Sequence, residues 1–310
     1  MLDATARGVY VIAVTPFRDD GALDEAGTDR LVDFYAQCGV AGITILGIMG
    51  EAQKLAHEES LAFARQVVRR AGRLPIVVGV SAPGFAAMRA LAHGVMELGA
   101  AGVMITPPSA LKGDDAAVAY YEEAAEALGP DIPFVIQDYP LATGVVLSPG
   151  VIRRIVEANP ACVMLKAEDW PGLDKISALR RLEREGAMRR VSILVGNGGL
   201  FLPFELERGA DGAMTGYAYP EMLVRVCALQ AEGRRAEAHD LFDAHLPLVR
   251  YEQQPGVGLA VRKYVLRQRG VLSSDAQRKP GRPLSAEARA EVDFMIARLE
   301  RALGGTRAAA

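Results

Sequence analysis

Eight times between residues 9 and 217 the chain passes through a short apolar, largely β-branched stretch and then into a segment with helical spacing. The stretches are VYVIAVTPF (9–17), GITILG (42–47), PIVVGVS (75–81), GVMITPP (102–108), PFVIQDYP (133–140), CVMLKAED (162–169), SILVGN (192–197) and GAMTGY (212–217). Each is nearly continuous in its apolar character, which marks strands buried on both faces of a parallel sheet. The intervening segments carry helix signals. LDEAGTDRLVDFYAQCG (23–39) opens on acids and stops at a glycine, and HEESLAFARQVVRRAG (57–72) places acids early, arginines late and Gly72 at the end. Residues 86–100, 114–129 and 147–160 repeat the alternation. Eight β–α units over roughly 220 residues match the α/β class and, within it, a TIM (β/α)₈ barrel. A doubly wound sheet is the alternative, and it rarely needs eight consecutive strands.

From residue 221 the pattern is helical only, in 221–233, 234–252, 257–270 and 285–303. The expected organisation is a catalytic barrel over 1–220 and a helical extension over 221–310 packed on it. SSDAQRKPGRP (273–283) is the main candidate for a flexible connector. The net charge of −3 gives no electrostatic case for nucleic acid or an anionic membrane. Basic residues gather at 267–270 and 277–283, and read as a solvated surface. Three widely spaced cysteines, Cys38, Cys162 and Cys227, fit a reduced, cytoplasmic setting. The start of the chain has no apolar leader, and no run approaches a membrane span.

A parallel barrel does its chemistry at the C-terminal ends of its strands. There the chain places TPF (15–17), GIMGE (47–51), TPPS (106–109), QDYP (137–140), KAED (166–169), GNGG (196–199) and TGYAYP (215–220). Lys166 is the only lysine in that set. An amine walled in by strand ends loses hydration, which favours its neutral, nucleophilic form and a Schiff base with a carbonyl. A structural lysine paired with Glu51 or Glu168 is the competing reading. GIMGE and GNGG bring glycines that let backbone N–H groups approach an anion, though a tight turn before a helix explains either equally well. The four histidines, His57, His93, His239 and His245, fall in helical stretches or at a helix start, so no metal is expected. No dinucleotide fingerprint is present.

In combination and order these motifs resemble the dihydrodipicolinate synthase / N-acetylneuraminate lyase family of Schiff-base lyases, over nearly the whole chain. They are TPF, GIMGE for G-x-x-G-E, the 133–144 string for P-x-x-x-x-D-x-P-x-x-T-G, and the lysine strand at 166. The resemblance implies a barrel with a C-terminal helical extension and a homo-oligomer, a tetramer or a dimer. It implies a covalent imine on Lys166 with no other cofactor, and a small 2-oxo acid as the molecule bound. Residues 47–51 (Gly47, Ile48, Met49, Gly50 and Glu51) fall on the loop that holds the substrate carboxylate.

The departures are informative. The family's loop carries hydroxyls where this chain has Ile48 and Met49. Its catalytic tyrosine is Gln137 here, a second tyrosine after the fourth strand is missing from TPPS, and the synthase's arginine is Ala142. Glutamine cannot relay a proton as a phenol does, and alanine cannot meet a second carboxylate. These losses argue against an authentic dihydrodipicolinate synthase. QDYP and KAED bring the chain closer to the branch that dehydrates 2-keto-3-deoxy sugar acids. Catalytic candidates are therefore Lys166, Gln137 and Tyr139. Substrate-binding candidates are residues 47–51, Glu168, Asn197, Gly198 and Met214. Aldol chemistry with pyruvate or a synthase-type condensation, a non-catalytic 2-oxo-acid binder and a phosphosugar enzyme remain as alternatives.

Overall fold

A computed structural model describes residues 1–170 and 172–308. Pro171 and residues 309–310, which the expected extension takes in, lie outside the described residues. Eight parallel strands close into one barrel in sequence order: β1 (Gly8–Ile12), β2 (Gly42–Ile45), β3 (Ile76–Gly79), β4 (Gly102–Ile105), β5 (Phe134–Asp138), β6 (Cys162–Ala167), β7 (Ser192–Val195) and β8 (Gly212–Ala213). The helices are α1 (Glu25–Gln37), α2 (His57–Ala71), α3 (Phe85–Glu97), α4 (Asp114–Leu128), α5 (Pro140–Thr143), α6 (Pro149–Ala158), α7 (Leu173–Arg184), α8 (Leu202–Glu207), α9 (Pro220–Ala231), α10 (Arg235–Glu252), α11 (Gly258–Gln268) and α12 (Ala286–Ala308). The expected barrel is observed. No helix among the described residues is long and apolar enough to cross a membrane.

Local signals explain the helix starts. Asp24 caps α1 by accepting from the Gly27 amide, and Ser148 caps α6 by accepting from Val151. Glu59 folds back to the Ala56 amide at the start of α2.

Two apolar layers hold the barrel. The outer one lies between strands and helices and takes residues such as Val11, Ile43, Val78 and Ile136. The inner one fills the barrel with Tyr10, Ile12, Val77, Met104, Val135, Met164, Leu194 and Met214. Tyr10 fits because residue 42 is glycine: a Cβ there would stand 2.4 Å from its ring. Strand side chains alternate between faces. Two residues beyond Val135 and Met164 come Gln137 and Lys166, which face each other in register across β5 and β6. The barrel interior therefore turns polar at its C-terminal end.

α9 packs on β1 and α8, so it completes the ring of helices that sequence reading closed at residue 220. We place the boundary of the extension after α9, since a barrel needs a helix behind its last strand. α10 and α11 grip the chain beyond β8. The buried Arg262–Glu252 ion pair sits against it: Arg262 Nη2 donates to Gly216 O at 2.6 Å, and Glu252 Oε2 accepts from the Ala218 amide at 3.2 Å. The 273–283 segment, read from composition as a flexible connector, is tied to the barrel. Ser273 Oγ donates to Asp24 at 2.7 Å, and Arg278 pairs with Glu59 at 2.6 Å.

Glu205 on α8 is buried, and its Oε2 has no hydrogen-bond partner. Burial pushes its carboxyl up to about 8. Its folded pKa lies above its unfolded one, so its contribution to stability is complete below the unfolded value and is lost as pH rises through about 8. Glu205→Gln is expected to raise the thermal midpoint by ~4–8 °C at pH 9 and to leave it nearly unchanged at pH 4, checked by scanning calorimetry at both pH values.

Candidate active site

Lys166 lies near the end of β6, faces the barrel interior and is 5% exposed. Glu168, two residues on, faces the same way, and its Oε2 stands 2.9 Å from Lys166 Nζ. Gln137 Nε2 donates to the same oxygen at 2.6 Å, and Thr106 Oγ1 donates to Gln137 Oε1 at 2.6 Å. A hydrogen-bonded chain, Thr106–Gln137–Glu168–Lys166, thus crosses the ends of β4, β5 and β6. The Thr106 amide is itself held by Ser81 Oγ at 2.8 Å. Among the described residues Glu168 is the only ionisable partner of the Lys166 amine.

The end of β7 makes room for Glu168. A Cβ on Gly196 would lie 2.1 Å from Glu168 Cγ, so a side chain there would displace the carboxylate. Asn197 follows in the left-handed region at φ 50°. Its Nδ2 donates to Glu168 O at 2.9 Å and its amide reaches Glu168 Oε1 at 3.5 Å. Tyr139 is half-buried beside them. Burial raises its phenol pKa, and the Glu168 charge raises it further. Its hydroxyl makes no hydrogen bond to the described residues.

A second charge cluster sits on the opposite face of the same strands. Asp138 and Asp169, the acids of QDYP and KAED, share Lys175 of α7, whose Nζ lies 2.8 Å from one and 2.6 Å from the other. Asp138 is fully buried, and its carbonyl accepts from the Glu168 amide at 2.9 Å. Burial pushes its carboxyl up to about 6, against the pull of Lys175. Lys175 therefore staples the ends of the two strands that carry Gln137 and Lys166.

The 47–51 loop is a single 3₁₀ turn, Ile48–Gly50. The amides of Gly50 and Glu51 donate back to Gly47 O at 3.0 Å and Ile48 O at 3.1 Å. Thr15 Oγ1 holds Gly50 O at 2.5 Å. The Ile48 and Met49 amides, at the front of the turn, have no acceptor within it. Ile48 is 43% exposed, and Met49 packs on the inner barrel layer.

Three expected substrate contacts have other work. Glu51 is buried, and its carboxylate is committed to Lys54, Lys263 and the Arg278 amide. Met214 is fully buried in the inner layer, because alternation along β8 points it into the barrel. The Gly198 amide donates to Thr215 Oγ1 at 2.7 Å, and its α-carbon backs onto Gln253. Thr106, Gly196 and Lys175 were missed as site residues. Thr106 had a signal, as the first residue of the TPPS strand end. Among the described residues no group of three or more His, Cys, Asp and Glu is arranged to hold a metal.

A parallel barrel with a lysine and a carboxylate in contact at its C-terminal mouth has the parts that imine chemistry needs. The model of the dihydrodipicolinate synthetase family matches residues 5–299. The chain belongs to that family, whose chemistry is a lysine Schiff base with pyruvate and needs no external cofactor. It is 30% identical over 299 residues to L-2-keto-3-deoxyarabonate dehydratase of Azospirillum brasilense, covering 95% of this chain and 94% of the relative. It is 31% identical to 4-hydroxy-tetrahydrodipicolinate synthase of Thiobacillus denitrificans over 79% of this chain and 81% of the relative. Its structure is similar to one reported as dihydrodipicolinate synthase from Rhodopseudomonas palustris. That likeness has a TM-score of 0.95 and 58% identity, over 96% of this chain and 99% of that one.

Gly196→Ala is expected to lower kcat/KM on the order of 100-fold by moving Glu168, with the fold retained. Steady-state kinetics beside circular dichroism would check it.

Proposed function

We propose that this enzyme dehydrates a 2-keto-3-deoxy sugar acid through an imine on Lys166. The observation that carries this reading is the Glu168 carboxylate, 2.9 Å from the Lys166 amine, with Gln137 bound to it where the family resemblance expects a phenol. The amine adds to the C2 carbonyl, and loss of water gives the imine. The imine draws electrons from C3, whose proton leaves to form an enamine. The enamine electrons then expel the C4 hydroxyl, which departs as water with the proton taken from C3. Hydrolysis of the conjugated imine frees Lys166, so the net change is loss of one water. Glu168 is the proton carrier, and Gln137 and Asn197 hold it in place. The Ile48 and Met49 amides receive the substrate carboxylate. Ala142 leaves no cation for a second carboxylate at that position. Tyr139, whose phenol feels the Glu168 charge, would meet a substrate hydroxyl.

A second reading is pyruvate-dependent condensation or aldol cleavage, favoured by the 58% identity to a chain reported as dihydrodipicolinate synthase. We further propose a cytoplasmic homo-oligomer, tetramer or dimer. Light scattering on the purified protein tests the assembly.

Borohydride added with a 2-keto-3-deoxy-pentonate is expected to trap an adduct on the Lys166 peptide, read by mass spectrometry. Without borohydride the product should keep the carbon skeleton whole; release of pyruvate would favour aldol cleavage. Normal turnover of pyruvate with aspartate semialdehyde would favour the synthase. Glu168→Gln is expected to lower kcat by about 10²–10⁴-fold while trapping at Lys166 persists.

A further inference from the structure

Glu51 ends the carboxylate loop, yet its side chain belongs to the far end of the chain. It is 3% exposed and accepts from Lys54 Nζ at 2.8 Å, Lys263 Nζ at 2.6 Å and the Arg278 amide at 3.0 Å. Its backbone is left-handed, at φ 57°, a conformation that a non-glycine residue holds only when its surroundings impose it. The two lysines are themselves tied to the 273–279 segment. Lys263 is fully buried and donates to Ala276 O at 2.7 Å, and Lys54 donates to Arg278 O at 2.9 Å. Arg278 spreads over the neighbouring loops, donating to Gly21 O at 2.8 Å, Lys54 O at 3.1 Å and Glu59 at 2.6 Å. The Phe17 ring lies beneath both cations, 4.6 Å from Lys263 Nζ and 4.7 Å from the Arg278 guanidinium carbon. On the other side of the turn Thr15 holds Gly50 O.

The turn is therefore clamped at two adjacent residues, by the loop after β1 on its carbonyl and by the C-terminal segment on its carboxylate. A buried ion pair is weak evidence for stability, because its desolvation offsets its attraction. It is strong evidence for geometry, because its partners tolerate little displacement. We propose that Lys263 and Arg278 are positioning residues, and that the 273–279 segment is a strap that sets the 47–51 loop through Glu51 and so sets affinity for the carboxylate of the 2-oxo acid. The strap rests on the reading that the Ile48 and Met49 amides receive that carboxylate.

The test compares the full-length wild type with Lys263→Met, Arg278→Ala and the surface control Arg298→Ala. One readout is hydrogen exchange in peptides covering 47–51 and 162–167. The other is the pyruvate concentration that gives half-maximal borohydride trapping at Lys166. In Arg278→Ala and Lys263→Met, exchange at 47–51 is expected to quicken about tenfold or more while 162–167 is unchanged. The half-saturating pyruvate concentration is expected to rise about tenfold with the maximal extent of trapping kept. Arg298→Ala should change neither. If Lys263→Met does not fold, Arg278→Ala decides. Unchanged exchange at 47–51 overturns the strap, as does equal acceleration at 162–167, which would make the network a general stabiliser. An unchanged half-saturation with faster exchange overturns its link to affinity. No adduct in the wild type would sink the imine reading instead, and the exchange data would still judge the strap.

Discussion

The contact between Lys166 and Glu168 follows from the two-residue period of a strand. Both side chains point to the inside of a barrel whose lower layers are apolar, so neither can be hydrated fully. Each is the other's nearest compensation. A buried amine without a carboxylate, or a carboxylate without an amine, would carry the full desolvation penalty of an isolated charge. Much of the surrounding architecture serves that contact. Gly196 omits a side chain to admit Glu168, Gln137 occupies one of its oxygens, and Asn197 holds its carbonyl.

The same two strands carry charge on both faces. Inside are Lys166 and Glu168; outside, Lys175 lies between Asp138 and Asp169. The alternation that turns Gln137 inward turns Asp138 outward, so the QDYP and KAED strings each contribute to both clusters. Their acids look alike in sequence and differ in office. Glu168 faces the barrel interior beside the Lys166 amine, whereas Asp138 and Asp169 hold the ends of β5 and β6 together through Lys175. The rigidity that the inner cluster needs is supplied from behind.

The fold was legible because its signal is local and repeated: eight apolar runs, each followed by a helix pattern with its own start and stop residues. Lys166 was legible because no other strand end carries a lysine. Glu168 was legible through its two-residue spacing from Lys166, and Gln137 through the family resemblance at the QDYP strand end. Thr106 and Gly196 were not, since a threonine beside a proline and a glycine before an asparagine also describe ordinary turns, and their meaning depends on which side chains arrive opposite them. The tie of Glu51 to the C-terminal segment was hidden, because its partner Lys263 lies 212 residues away, a separation that no local pattern spans. The burial of Met214 was hidden as well, because proximity to a strand end does not reveal how deep a side chain sits. The connector at 273–283 looked mobile from its charged, proline-bearing composition, although its serines and Arg278 are spent on Asp24, Asp19 and Glu59.

The tie between Glu51 and Lys263 also bears on how the protein comes into being. A ribosome delivers the whole barrel before it delivers residue 263. Until then the Glu51 carboxylate lacks a buried partner, and the turn that ends on it lacks the segment that pins it. The strands are then all present, but the apolar cluster still lacks Val261 and Val265, and the mouth lacks the segment that holds Glu51. The contacts that pin the turn arrive only with the last quarter of the chain, so a product terminated before residue 263 would lack both the pin and part of the core.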